Sequence, residues 1–317
     1  MGGGDRMRTV GLGVGVGVLS AVVGLLPWIV TGMRLPLQNL WATSTTDAAD
    51  MPVALLPFSQ YSVGLIAAML LVGGALAGLV VRVLGARLGL SGRLGTVLAL
   101  SGVLVVQLVA LVQAAVVTGA GLRMDTSFGT GAAISASQVY LVALVAGTLL
   151  AIALALVVLV VLARTRAAVA VVAVALVALA TGSWVDAFLV SPVGFADGSV
   201  SAVLAVTRWL PAVLLGLGIA WSGLRTVGQV VGSVLALVVL WTGSAAVTAL
   251  TSALGTRVYL PYPLELASFG AEVFRSALGP AGTGLGSALV ALLIGGAGGL
   301  VVRWWRSRAV AGRRPVR

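Results

Sequence analysis

The side chains able to do chemistry in this 317-residue chain are few, and their types narrow the choice at once. All 19 basic residues are arginine, the acids number 8, and histidine and cysteine are absent. Schiff-base lysines, imidazole bases, thiol nucleophiles and disulfides are therefore excluded together. What remains is carboxylate, guanidinium, amide and hydroxyl chemistry. Two carboxylates lie close in sequence, Asp47 and Asp50 in TTDAAD. They stand in a solvated outer loop, and acid oxygens alone would suit only a hard cation such as Mg, Ca or Mn. Two opposite charges, Asp186 and Arg208, stand inside otherwise apolar runs. An ionisable group there is costly, so the two form either an ion- or substrate-binding couple or a structural clamp between helices. Two amides, Gln107 and Gln113, also fall inside one apolar run, six residues apart and off a common helical face. Each needs a hydrogen-bond partner on a neighbouring helix or along a polar path. The phosphate-cradling pattern G-x-x-x-x-G-K-[ST] does not occur, and no cofactor is called for.

The elements that must position these residues follow from composition. Hydrophobic residues make up 60% of the chain and charged ones 9%, against about 25% charged in a soluble domain. Lipid is the solvent that such a chain requires. Eight uncharged or nearly uncharged runs are long enough to cross a bilayer, at about 10–30, 62–81, 94–117, 138–162, 167–190, 200–222, 227–254 and 282–302. Their length and lack of polar-apolar alternation predict helices rather than barrel strands. The fold class expected is an all-α polytopic membrane bundle in one domain, its eight spans paired as four hairpins.

Arginine sets the orientation, because cytoplasmic segments accumulate it. With the N-terminus inside, the inner segments hold fourteen arginines and one acid, Asp5, while the outer side holds five arginines and seven acids. Removing the sixth span, which contains Arg208, would invert everything after it and place the arginine-rich tail outside. Both termini are therefore expected in the cytoplasm of a bacterium, with Trp304 and Trp305 as interfacial aromatics. The first run, with Arg6 and Arg8 before it, is too long for a signal peptide and reads as an uncleaved span. In this frame Asp186 lies ~6 Å and Arg208 ~12 Å below the outer surface, at 1.5 Å per residue, close enough to pair. The net charge of +11 invites a nucleic-acid reading, but arginines confined to short loops at span ends meet lipid headgroups instead.

Inner connections are too short for a cytoplasmic catalytic domain, so specificity is expected on the longer outer loops at 31–61, 118–137, 191–199 and 255–281. Within them RLPLQNLWA from Arg34 and YLPYPLELASFGAEVFRSALG from Tyr259 are partly structured. In the second, Leu266, Phe269, Val273, Phe274 and Leu278 form one helical face and Glu265, Ser268, Glu272, Arg275 and Ser276 the other. Three outer turns open alike, as TGMR at Arg34, AGLR at Arg123 and LGTR at Arg257, and the fourth reads TGSWVD to Asp186. Either duplicated hairpins or a shared interfacial solution produces this. Pro27 and Pro211 fall mid-span and permit kinks. Glycine pairs four apart occur at about their chance frequency, so no dimer motif is read.

These features favour a permease or membrane-embedded transport subunit, partnered by the bilayer and by a membrane or ATPase subunit. A non-catalytic envelope-assembly subunit is the alternative. Asp47 and Asp50 also resemble the first-outer-loop acids of membrane glycosyltransferases that use lipid-linked donors. That resemblance implies an outward-facing transferase as the third reading; the absence of histidine, cysteine and lysine argues against an enzyme.

Overall fold

The computed structural model describes residues 3–36, 47–122, 136–189, 198–256, 262–280 and 282–311. Ten helices account for nearly all of them: α1 (Gly3–Val30), α2 (Val63–Leu84), α3 (Arg93–Gly121), α4 (Ala136–Arg164), α5 (Ala167–Leu189), α6 (Gly198–Thr207), α7 (Leu210–Ser222), α8 (Val227–Gly255), α9 (Pro263–Leu278) and α10 (Thr283–Ala311). Eight stretches are long and apolar enough to cross a membrane, with α6 and α7 together forming the sixth. This is an architecture compatible with a polytopic membrane protein. Most of the 118–137 loop and of the 191–199 turn lies outside the described residues, as do 37–46 of the first loop, Tyr259 to Pro261 of the fourth, and the side chains of Trp304 and Trp305.

Small residues decide how closely the helices cross. A Cβ on Gly17 of α1 would collide with the Ala99 carbonyl of α3, and one on Gly102 of α3 with the Val14 carbonyl of α1. Gly24 and Gly73 bring α1 onto α2 in the same way, and Gly74 and Gly78 bring α2 onto the backbone of α4 at Ala155 and Leu159. Without a hydrophobic drive between helices in lipid, such backbone approach supplies dispersion contacts that larger side chains would prevent. Gly232 of α8 meets the Ala168 carbonyl of α5, while Gly216 of α7 and Gly295 of α10 seat Ile294 and Ile219.

The helix contacts do not resolve into four separate hairpins. In the first half α1 packs on α2 and α3, α2 on α3 and α4, and α3 on α4. Counting α6 and α7 as one span, the same five pairings recur among the last four spans: α5 with α7 and α8, α7 with α8 and α10, and α8 with α10. The period of the packing is thus four spans. In the sequence AGLR follows the third span and LGTR the seventh, four spans apart, with Arg123 and Arg257 themselves outside the described residues. The halves meet chiefly where α5 lies against α2, with α1 and α4 beside it. Trp184 Nε1–H of α5 donates to the Gly24 carbonyl of α1 at 2.8 Å. At the opposite end the Arg82 guanidinium of α2 donates to the Leu162 carbonyl at 2.6 Å and lies 4.9 Å from the Trp221 ring of α7.

The first long loop is folded into the bundle. Just past the end of α1, Gly32, with a φ of 93°, reverses the chain, with Gly32 N–H on Ile29 O and Met33 N–H on Trp28 O. The chain then pairs with residues 51–54: Arg34 bridges Val53, Leu35 N–H meets Pro52 O, and Ala54 N–H meets Met33 O. Leu35, Ala54, Leu56 and Phe58 are buried beside Trp28, Met69 and Leu111 in the main core of the first half. α9 packs along α8, with Trp241 Nε1–H donating to Leu278 O at 3.2 Å. Its two faces divide as the sequence predicts. Leu266, Phe269, Val273, Phe274 and Leu278 are half-buried, and Glu265, Ser268, Glu272, Arg275 and Ser276 are exposed.

Candidate functional site

Three sets of polar residues stood out in sequence, and the fold treats them differently. Gln113 serves the first loop. Its Oε1 accepts from Leu55 N–H at 2.8 Å and its Nε2 donates to Val53 O at 3.1 Å. One side-chain amide thus acts as a neighbouring strand would, satisfying two backbone groups of a loop that enters an apolar setting. Trp28 Nε1–H on Ala54 O at 2.7 Å and Tyr140 Oη accepting from Gln60 N–H at 3.3 Å complete the latch. Sequence reading expected a helix or a polar path as the partner of Gln113; the partner is a loop. Gln107 does bond between helices, its Nε2 donating to Leu70 O of α2 at 2.9 Å, and it is fully buried. Its Oε1 has no partner among the described residues.

Asp47 and Asp50 flank a single exposed turn ahead of that latch. Asp47 Oδ1 accepts from Ala49 N–H at 2.9 Å, and Asp50 N–H donates to Asp47 O at 3.2 Å. Both side chains are exposed. Among the described residues no group of three or more metal-ligating side chains assembles around them.

The third set lies at a break in the sixth span. Pro211 carries no N–H, so the helical ladder cannot reach back to the Thr207 carbonyl, and its ring disfavours continuous helix at that carbonyl. α6 accordingly stops at Thr207 and α7 begins at Leu210. Arg208 N–H still reaches Leu204 O at 3.2 Å, Trp209 N–H shortens to Val206 O at 3.1 Å, and the regular spacing resumes with Val213 N–H on Trp209 O. Gly182 of α5 faces the proline ring, with room there for no more than a methyl contact at 3.4 Å. α5 is thereby held against the break.

One turn further along α5, Asp186 receives the Thr207 hydroxyl on Oδ1 at 2.6 Å. The same hydroxyl also lies 3.2 Å from the Leu204 carbonyl of its own helix. Arg208, the next residue, lies with its guanidinium 5.0 Å from the centre of the Trp209 ring. Among the described residues no ion pair joins Asp186 to Arg208. The expected couple is therefore close in the chain trace but not in contact: a neutral donor holds the acid and an aromatic face holds the base. Sequence reading missed Thr207, although its place four residues before Pro211 marks it as the point where the helix must open. Phe188 packs edge-on against Trp184, 5.0 Å between ring centres, so aromatic side chains close the α1 side of α5 while Asp186 turns to α6.

A half-buried carboxylate, a hydroxyl, an exposed guanidinium with no hydrogen bond or ion pair among the described residues, and a backbone carbonyl without its helical donor thus lie at one interrupted span. This set can bind cations or hydrogen-bond donors at the acid and anions at the arginine. No family model matches the chain, and comparison with curated proteins and with solved structures finds no match.

Proposed function

We propose that the chain is a permease or membrane-embedded transport subunit of a bacterial plasma membrane, with both termini in the cytoplasm and the long loops outside. The observation that carries this reading is the interrupted sixth span with Asp186 bonded to Thr207 at the break. Discontinuous helices next to an intramembrane charge recur in transporters, because the opened backbone offers polar groups to a solute within the bilayer. The two equivalent packing halves support it further, since repeated halves can rock about a shared seam. In its favour, too, no cytoplasmic domain interrupts the short connections at 165–166 and 223–226, so any energy-coupling ATPase would be a separate partner. The site needs neither cofactor nor nucleic acid, and the reading is non-enzymatic.

The latched first loop favours a second reading, a non-catalytic envelope-assembly subunit, because a rigid outer cap suits docking as well as gating. Solute flux separates the two. Purified protein in proteoliposomes, assayed by counterflow with a panel of labelled small solutes, should show saturable exchange that Asp186→Asn abolishes. Absence of exchange for every solute, with the protein folded and correctly inserted, would favour the envelope role.

A further inference from the structure

Opposite charges one residue away from a shared hydrogen-bonded hydroxyl would ordinarily collapse into an ion pair, because attraction strengthens as the dielectric falls. Here they do not. Thr207 occupies Asp186 Oδ1, and the Trp209 ring supports the guanidinium of Arg208. Among the described residues no hydrogen bond or ion pair engages that guanidinium, which carries five donors in a planar fork. Pro211 also leaves the Thr207 carbonyl without its helical donor, an acceptor on the same residue whose hydroxyl bonds the carboxylate. The break therefore carries acceptors on Asp186 and Thr207 and, on the next residue, an exposed fork of donors, and among the described residues no ion pair neutralises either charge.

We propose that this break binds a small zwitterionic group, its ammonium at Asp186 and the Thr207 carbonyl, and its carboxylate or phosphate on Arg208. A ligand of one sign would satisfy one of these charges and leave the other uncompensated in a poor solvent for ions. A ligand bearing both signs neutralises the pair without adding net charge. The inference rests on reading the break as a ligand site. Two sources share the chemistry: a dissolved solute of the amino-acid type, and the headgroup of phosphatidylethanolamine, which would reach the site along the exposed apolar face of α6.

Thermal unfolding of the purified full chain tests it. The dissolved probes are glycine and phosphoethanolamine, with ethylamine and inorganic phosphate as single-charge controls at equal concentration. The lipid arm compares phosphatidylglycerol nanodiscs with and without phosphatidylethanolamine. At saturation the expected result is a rise in Tm of about 3 °C or more with at least one zwitterion, and none with either control. Asp186→Asn and Arg208→Gln should each remove the rise, while Arg208→Lys, which keeps the charge, should retain part of it. A rise confined to the lipid arm identifies the headgroup as the ligand; a rise with glycine or phosphoethanolamine identifies a solute. No rise in any arm, a rise that survives both charge-removing variants, or an equal rise with phosphate alone would overturn the proposal. Binding without counterflow would sink the permease reading and leave this site standing, and counterflow without binding would do the reverse.

Discussion

The Thr207 hydroxyl donates to Asp186 Oδ1 at 2.6 Å across the junction of α5 with α6, while Arg208, the adjacent residue, rests on Trp209. The acid is thus stabilised by a neutral neighbour and the base by an aromatic one. This assignment changes which residue pairs should be energetically coupled.

Asp186→Asn and Thr207→Val should each lower thermal stability, by about 1–2 kcal/mol, as expected for loss of a hydrogen bond to a charged group. The double variant should cost clearly less than the sum of the singles. Asp186→Asn with Arg208→Gln should instead be near additive in ligand-free detergent. Strong coupling of the acid to Arg208 and none to Thr207 would refute the arrangement described.

Gln113→Leu should free the first loop, because Leu55 N–H and Val53 O lose their partner in an apolar setting, at a cost of about 1–3 kcal/mol. Leu56 is wholly buried in the parent. A single cysteine placed there should resist thiol labelling in the parent and label readily in the Gln113→Leu background. Equal protection in both would show that the latch lies elsewhere, at Trp28 or Tyr140.

Glycines at the α1–α3 crossing and glycines away from it should differ sharply. Gly17→Ala and Gly102→Ala place a methyl group against backbone of the facing helix and should cost about 1–3 kcal/mol. Gly11 and Gly15 have open space around them, so alanine there should be neutral or mildly stabilising. Melting curves of the four variants decide it, and a uniform response would contradict the α1–α3 crossing.

The natural lack of cysteine makes sidedness directly measurable. Cysteine at Ala49 or Ser268, both exposed, should react with an impermeant thiol reagent applied to intact cells, and cysteine at Ser91 should not. Ser91 is preferred to its neighbour Gly92, whose φ of 88° a side chain would strain. Labelling of Ser91 from outside would reverse the proposed orientation.

Asp50→Ala should change stability by no more than about 0.5 kcal/mol, as exposed positions usually do. Asp47→Ala should cost somewhat more, since Asp47 caps the Ala49 N–H. Millimolar Mn should leave the melting curve of the parent unmoved. A Mn-dependent rise that both substitutions abolish would bring the transferase reading to the front.

The spans were legible because lipid leaves the backbone no partner but itself, so each crossing declares itself as a long apolar run. The two faces of α9 were legible for a similar reason: one helix sorts its side chains by period, and no distant residue has to be known. The contacts that define the site were not of this kind. Thr207 and Asp186 are 21 residues apart, and Gln113 and Leu55 are 58 apart. Which pairs of this separation meet depends on the rotation and depth of each helix against its neighbours. Those are set by where Gly17, Gly24, Gly74 and Gly182 admit a facing helix, a property of surfaces in contact rather than of any one segment. Pro211 announced an interruption in the sixth span, but that the Thr207 hydroxyl there would turn to Asp186, and the arginine beside it to Trp209, followed from packing α5 against the break.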